Sequence, residues 1–596
     1  MSGGGLFACL AFVLTVGCAG AAAPDAASDA SPSDALDAAS DAASDAARDA
    51  SVPDVPDAAD AASDAGDQDA TGADAAATSE EPWFEDVTER AGLGFERVAA
   101  EGWASLPDRM GGGVCVLDAD GEGPFDLFFA MRPAGGSRLF AASTPLAYED
   151  RTDALGLSGV GDALGCLAFD ADADGDDDLL VTGLGTLELW LQQEGGFARA
   201  DVLPSVDART LRMSAAAADL DDDGDLDLLV AGFVELHPDF APDPDTCVAE
   251  ACAANIATWP PARNLLLLRD EAGRYHDAAE TLAPALAVAE PTLVVTATDL
   301  DDDGHVDIFV GNDLGRTGVP DRVLRHDADG VYRDAPSLGL GRKGSGLSTC
   351  TMGVAHGDLD GNGRTDTLTT SFERDPSALY LCFADEPCEE RGEAWGMGEA
   401  EGSFRWGAAL ADFDADGWLD VIESTGHLVT EGELAAAGLS GGPLAQRPNF
   451  YINEAGTGMR LLSPAATDGL SQSHQTRGLA VVDLDDDGRL DVVLAPNQGR
   501  PAALRNLRSS GHWLRVRLVG AALNSGGIGA TVTVETAAGR WRRQKRAGEG
   551  YLGSFDPRLH FGLPTDAPAR VRVDWPDGAT TTVPSVAVDR EVSIRR

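Results

Sequence analysis

Lysine is almost absent from this chain, occurring only at Lys343 and Lys545. Basic residues number 43 against 100 acidic ones, and the 596-residue chain carries a formal net charge of −57. A body so acidic repels nucleic acid and anionic membrane surfaces, which are held through Lys and Arg. Nine histidines are dispersed, and there is no H-E-x-x-H and no P-loop. The usual sequence routes to zinc hydrolysis and phosphate chemistry therefore have no support. Membrane-spanning length is lacking at the N-terminus too: LFACLAFVLTVGC (6–18) is too short for a typical span and has the length of an export signal.

What the chain has in abundance is one acidic pattern, D-x-D-x-[D/N/E]-G-x-x-D, repeated seven times. The candidate ligands at positions 1, 3, 5 and 9 are Asp118, Asp120, Glu122 and Asp126; Asp170, Asp172, Asp174 and Asp178; Asp219, Asp221, Asp223 and Asp227; Asp299, Asp301, Asp303 and Asp307. They continue with Asp358, Asp360, Asn362 and Asp366; Asp412, Asp414, Asp416 and Asp420; Asp483, Asp485, Asp487 and Asp491. Several carboxylates in one tight loop are tolerable mainly when a hard cation such as calcium collects their oxygens. Position 6 is always glycine, which permits the positive φ needed to wrap around an ion. Seven structural Ca2+ ions are expected, with the Asn362 site weaker by one charge.

An EF-hand opens in the same way but closes with a bidentate Glu at position 12. Here position 12 is Phe129, Val181, Val230, Val310, Thr369, Glu423 and Leu494, so only the sixth copy fits. The flanks, such as GLAVVD before and LDVVLAP after the last loop, read as short β-branched strands. The loops are expected inside β-hairpins.

Charge and composition divide the chain. Residues 19–82 are nearly all Ala, Asp, Ser, Pro and Gly, with no apolar face to bury, and read as a disordered acidic spacer. Before it, residues 1–18 read as a signal peptide ending in Val16-Gly17-Cys18, small residues before a cysteine that resemble a bacterial lipobox. Thr15 in place of leucine, and no Lys or Arg before the apolar run, depart from that pattern. Cys9 is a rival lipobox, and an ordinary cleaved signal would instead release the protein. Lipidation at Cys18 would place the body at the outer membrane or cell surface.

Seven cysteines follow Cys18. Export favours disulfides, and Cys247 with Cys252 and Cys382 with Cys388 form close pairs inside long polar stretches, 236–262 and 373–403, read as stapled insertions. Cys115 and Cys166 hold equivalent strand positions in neighbouring repeats. They read as buried small apolar residues, with a bridge as the alternative.

Motif starts are 52, 49, 80, 59, 54 and 71 residues apart, the spacing of four-stranded propeller blades with insertions. A second element, WFEDVT at Trp83, YEDRT at Tyr148 and YRDAP at Tyr332, marks the outer part of each unit. The fold expected is all-β: a seven-bladed β-propeller over 83–506, its last blade completed by the WFEDVT strand, followed by a small β-sandwich-like domain over 507–596. That domain alone is net basic. Its cluster RWRRQKR (540–546) reads as a strand with one solvated charged face, with docking onto the acidic propeller or an anionic polysaccharide as alternatives.

These repeats resemble the FG-GAP or VCBS class found also in integrin α chains. HWLRVRLVG, NSGGIGATVTVETAAGR, GYLGSFDPRLHFGL and VRVDWPDG resemble the ASPIC and UnbV domain that follows such propellers in the cartilage acidic protein family and its bacterial relatives. That resemblance implies calcium-dependent extracellular adhesion or scaffolding, with no catalytic residues to carry over. The expected function is a non-catalytic exported binding protein whose partner is a protein or polysaccharide at the cell surface, touching membrane only through its lipid. A propeller-type polysaccharide lyase or hydrolase is the alternative; His356, His427 and His474, near strand or loop ends, could line the ring's mouth, although a hydrogen-bonded structural role is the simpler reading. Mass spectrometry of the native protein should find a lipidated Cys18 as the mature N-terminus. A soluble chain beginning elsewhere would rule the anchor out.

Overall fold

A computed structural model describes residues 81–596 except 98–105, 122, 133–135, 237–258, 314–318, 343–348, 374, 385, 401, 429–441 and 466–467. Cys18, the spacer, Glu122 and the Cys247–Cys252 pair therefore lie outside the described residues.

Within the described residues, seven four-stranded antiparallel sheets follow one another along the chain. Sheet 1 is typical: Gly113–Leu117, Asp126–Ala130, Arg138–Thr144 and Ala147–Asp150, paired in sequence order. Its acidic loop joins the first strand to the second. The first strands of the others are Ala163–Phe169, Thr210–Ala218, Thr292–Thr298, Val354–Gly357, Arg405–Ala411 and Gln475–Val482. Most are buried along their whole length, as at Thr210–Ala218 and Gln475–Val482, because both faces of each sheet pack on neighbouring sheets. The ring closes where Gly478 N–H donates to Gly112 O at 2.8 Å. Sheet 7 takes its fourth strand from the N-terminal side: Phe84–Asp86 pairs with Ala502–Asn506, as the WFEDVT reading expected.

Hydroxyl groups clasp sheet to sheet. Four residues after the last loop aspartate, Thr182, Thr370 and Ser424 each donate to a first-strand carbonyl of the next sheet, at Met213, Trp406 and Arg477. Gly353 is forced by the same convergence, since a Cβ there would collide with Trp406 O.

Two cysteine readings change. Cys115 and Cys166 form a disulfide with Cα atoms 6.0 Å apart, joining the first strands of sheets 1 and 2. Neighbouring inner strands converge on the axis, which brings equivalent positions within bridging distance. Cys382 and Cys388 are bridged as expected. The stretch around them is not an insertion, however: it contains Ala378–Leu381 and Glu389–Glu390, the third and fourth strands of sheet 5. Short strands in polar sequence hid that pairing.

After Asn506 two sheets, one of three strands and one of four, enclose a separate apolar core around Leu514, Val532, Phe561 and Val571. From this sandwich, residues 546–556 run into the axis of the ring. Ala217 N–H donates to Ala547 O, Val354 and Gly550 exchange backbone bonds, and Ser554 exchanges bonds with Val114 and Val116. Asp556 N–H donates to Val481 O. Cys166 N–H, in sheet 2, donates to Leu552 O, so the segment bonds to the first strands of five different sheets. Its tip, Tyr551 and Leu552, is fully buried, with the Tyr551 hydroxyl donating to Met110 O at 3.0 Å and its ring 5.4 Å from that of Trp406. Glycine is required at Gly548 because φ is +92° and a Cβ would strike Ala215 O. Tyr551→Ala should cost about 3–5 kcal/mol, the cost of emptying a large aromatic site, measured by denaturant unfolding. A loss below about 1 kcal/mol would mean that the ring does not depend on this plug.

Candidate metal centres

Antiparallel order puts every first-to-second connection, and so every acidic loop, at one end of the ring. The loops share a backbone path. Position 6 glycines have φ between +85° at Gly123 and Gly363 and +102° at Gly175. Position 4 is also left-handed in all seven: Gly121 and Gly361, but Ala173, Asp222, Asp302, Ala415 and Asp486 elsewhere. A non-glycine residue pays about 1–2 kcal/mol there, so five loops hold strain at position 4 that their hydrogen bonds must offset.

Those bonds come from the aspartates. Asp219 accepts from Asp223 N–H at 3.1 Å and Gly224 N–H at 3.0 Å, folding the loop over its first carboxylate. Asp170, Asp299, Asp412 and Asp483 do the same. Position 9 does more than the sequence reading assigned it. Asp126 accepts from Ala119 N–H at 2.7 Å with one oxygen and from Ala142 N–H, on the third strand, at 2.8 Å with the other. The same double clamp recurs at Asp178, Asp227, Asp307, Asp366, Asp420 and Asp491. Each oxygen retains a lone pair for a cation.

The carboxylates converge. Oxygens of Asp118, Asp120 and Asp126 lie within 4.8 Å of one another, as do those of Asp170, Asp172 and Asp178, of Asp219, Asp221 and Asp227, and of Asp299, Asp301 and Asp303. Burial pushes the clamp carboxyls up, to about 7 at Asp126 and Asp178 and about 8 at Asp227, Asp307 and Asp366. Crowding adds to burial at Asp219, raised to about 7. One oxygen each of Asp221, Asp358 and Asp485 is buried with no hydrogen-bond partner among the described residues. An orphaned, buried carboxylate oxygen beside other carboxylates is the donor that a hard cation fits. Glu423, the one EF-hand-like position 12, instead meets Arg405 at 3.4 Å and bonds Asn449 of sheet 6 and Ser377 beside sheet 5.

The loops differ in how far protein cations already neutralise them. Arg505 pairs with Asp485 and Asp487, Arg489 with Asp487, and Arg515 with Asp483 and Asp486 at 2.6 Å each. In the fifth loop the Asn362 amide donates to Asp360 and to Cys382 O.

The sandwich domain sits on this same end of the ring, and the solvated-face reading of 540–546 fails there. Arg542 pairs with Asp302, half-buried Arg543 lies near Asp412 and Asp358, and Lys545 donates to Pro557 O. Burial lowers the Lys545 amine to about 8. Trp541 packs on Gly417, Trp513 on Gly488, and His560 bonds Gly488 O at 2.9 Å. Strand alternation is real, but the surface it faces is the acidic ring rather than water.

The three histidines do not gather. His356 is buried in a first strand between Thr296 at 2.8 Å and Thr367 at 3.0 Å, and burial holds its pKa well below the usual range. His427 meets Glu373 at 3.4 Å at the opposite end, while His474 exchanges backbone bonds with Gln446.

The sequence matches the FG-GAP-like repeat family over residues 170–230 and 299–369, and the ASPIC and UnbV family over 520–596. The chain thus carries FG-GAP repeats followed by an ASPIC/UnbV segment. It is similar to cartilage acidic protein 1, an architecture it shares: 26% identical to the Mus musculus protein over 84% of this chain and 74% of that one. With the Homo sapiens protein it is 26% identical over 53% of this chain and 44% of that one. Among solved structures, an Agrocybe aegerita lectin described for recognition of non-reducing terminal N-acetylglucosamine aligns at TM-score 0.37 and 16% identity, covering 66% of this chain and 94% of the lectin. The extracellular domain of a putative one-component system from B. thetaiotaomicron aligns at 0.37 and 11%, over 72% and 40%.

A carboxyl whose folded pKa is raised stabilises the fold below its unfolded pKa, and that stability is lost as pH rises through the folded value. In chelator the melting temperature should therefore fall between about pH 4 and pH 8, as Asp126, Asp178, Asp227, Asp307 and Asp366 are forced to ionise. Excess calcium, which binds the ionised form, should remove the fall. Calorimetry at pH 5 and pH 8 with EDTA or calcium checks both; a chelated protein more stable at pH 8 contradicts the assignment.

Proposed function

We propose that this protein is an exported, lipid-anchored scaffold or ligand-binding protein, braced by calcium in its acidic loops and without catalytic activity of its own. The observation that carries this reading is the plug. In a ring of sheets the axis is where side chains from several sheets could converge on a substrate, and here Tyr551, Leu552 and their neighbours fill it. The acidic end is covered by the sandwich domain. That leaves the other end, formed by second-to-third connections, as the face on which a rigid scaffold can display loops to a protein or polysaccharide. The connection holding 237–258 begins and ends there, between Asp227–Glu235 and Leu265–Arg269.

Calcium has a structural role in this proposal. Each ion would neutralise carboxylates that burial otherwise disfavours, and brace a hairpin already clamped by its last aspartate. The lyase or hydrolase alternative rests on His427 with Glu373 beside buried Arg405, polar groups at the open end.

Ions that bind only the folded protein stabilise it by about 2.7 kcal/mol per site at a hundredfold excess over Kd. Calcium should raise the melting temperature markedly over EDTA, with several ions found by elemental analysis. A glycan and polypeptide array probed with the full chain should show calcium-dependent binding without turnover. Depolymerisation of a polysaccharide, lost in His427→Ala with the fold intact, would replace the scaffold reading with the enzyme one.

A further inference from the structure

Between the third and fourth acidic loops three side chains that calcium chemistry does not use come together. Asp222 is position 4 of the third loop, held at φ +61°; His305 is position 7 of the fourth; His326 ends the third strand of sheet 4. The ligand atoms of all three lie within 4.8 Å of one another. His305 Nδ1 is 3.6 Å from Asp222 Oδ2 and His326 Nδ1 is 3.8 Å from the same oxygen, with the two rings 5.4 Å apart.

These separations are too long for hydrogen bonds. Two ligand atoms on a tetrahedral ion with bonds near 2.0–2.1 Å stand about 3.3 Å apart, so a small contraction would seat one ion among the three. His326 is buried, with its side chain 7% exposed. Tyr332, 4.9 Å away, packs on the His326 ring, and Asp307 accepts the His326 backbone N–H at 3.3 Å. The ring is therefore positioned by the fold, whereas Asp222 and His305 are about half exposed and leave a solvent-facing side for a water ligand.

We propose that Asp222, His305 and His326 form a site for a borderline divalent transition metal, Zn2+ in the first instance, distinct from the all-oxygen loops on either side. Two imidazoles and one carboxylate suit zinc and its neighbours in the first row and do not suit calcium. The bound ion would tie the third loop to the fourth, cross-linking adjacent sheets.

The test uses the full chain in saturating calcium, so that the oxygen-only loops are filled, titrated with Zn2+ by calorimetry and with Co2+ by visible absorption. One equivalent of Zn2+ that calcium does not displace is expected, with a Co2+ spectrum showing nitrogen ligation at low coordination number. His305→Ala and Asp222→Asn alter half-exposed side chains and should each weaken Zn2+ binding more than about tenfold while leaving the melting temperature in calcium unchanged. His326→Gln should do the same to binding; if it unfolds the protein, the other two variants decide. Absence of Zn2+ binding in calcium, or equal affinity in the His305 and Asp222 variants, overturns the site. Either result is independent of whether the scaffold reading stands.

Discussion

One buried carboxylate per sheet holds this architecture together. The ninth residue of each acidic loop, Asp126 in sheet 1 and Asp491 in sheet 7, accepts one backbone N–H from its own loop and one from the third strand. The hairpin, the loop and the outer half of the sheet are thereby fixed to one another at a single point. Burying a carboxylate is costly, and its raised pKa measures that cost. Two backbone donors offset part of it, and a cation is the natural means to offset the rest.

The distribution of charge follows from this constraint. Seven loops at one end of a ring concentrate negative charge on one surface, and the only net-basic part of the chain lies against it. Arg515 and Arg542 meet loop carboxylates directly and Arg543 lies near two more, while Trp513 and Trp541 use the flat glycine surface at Gly488 and Gly417. The position 6 glycines are fixed by their left-handed φ, yet two of them also make the floor on which tryptophans pack.

Much of this was legible in the sequence. Period, glycine spacing and strand-like flanks pointed to hairpin loops and a ring of four-stranded sheets, and the WFEDVT echo identified the closing strand. What sequence could not supply was partnership across distance. Cys115 and Cys166 looked like apolar strand residues because inner-strand cysteines are chemically alike whether bridged or not; only convergence on the axis brings them together. The basic strand at 540–546 alternates as a solvated strand would. The axial segment AGEGYLGSF resembles a glycine-rich loop, and its role depends on strands hundreds of residues earlier. One signal was present: glycine at 548, 550 and 553 flanking two large apolar residues is odd for an exposed turn. Position 4 of the loops was legible as well, since glycine occupies it at Gly121 and Gly361.

The axial segment also sets an order of events. Its contacts with sheets 1, 2, 3, 5 and 7 join residues separated by up to several hundred positions, the kind of pairing that makes folding slow. During synthesis the ring emerges first and the segment only after it. Until residues 546–556 arrive, seven inner strands surround an empty passage with backbone groups at Val114, Ala217 and Val354 unpaired. A chain cut short before Gly548 would therefore be a hollow ring rather than a smaller stable protein, and the C-terminus acts as a completion check on the whole molecule.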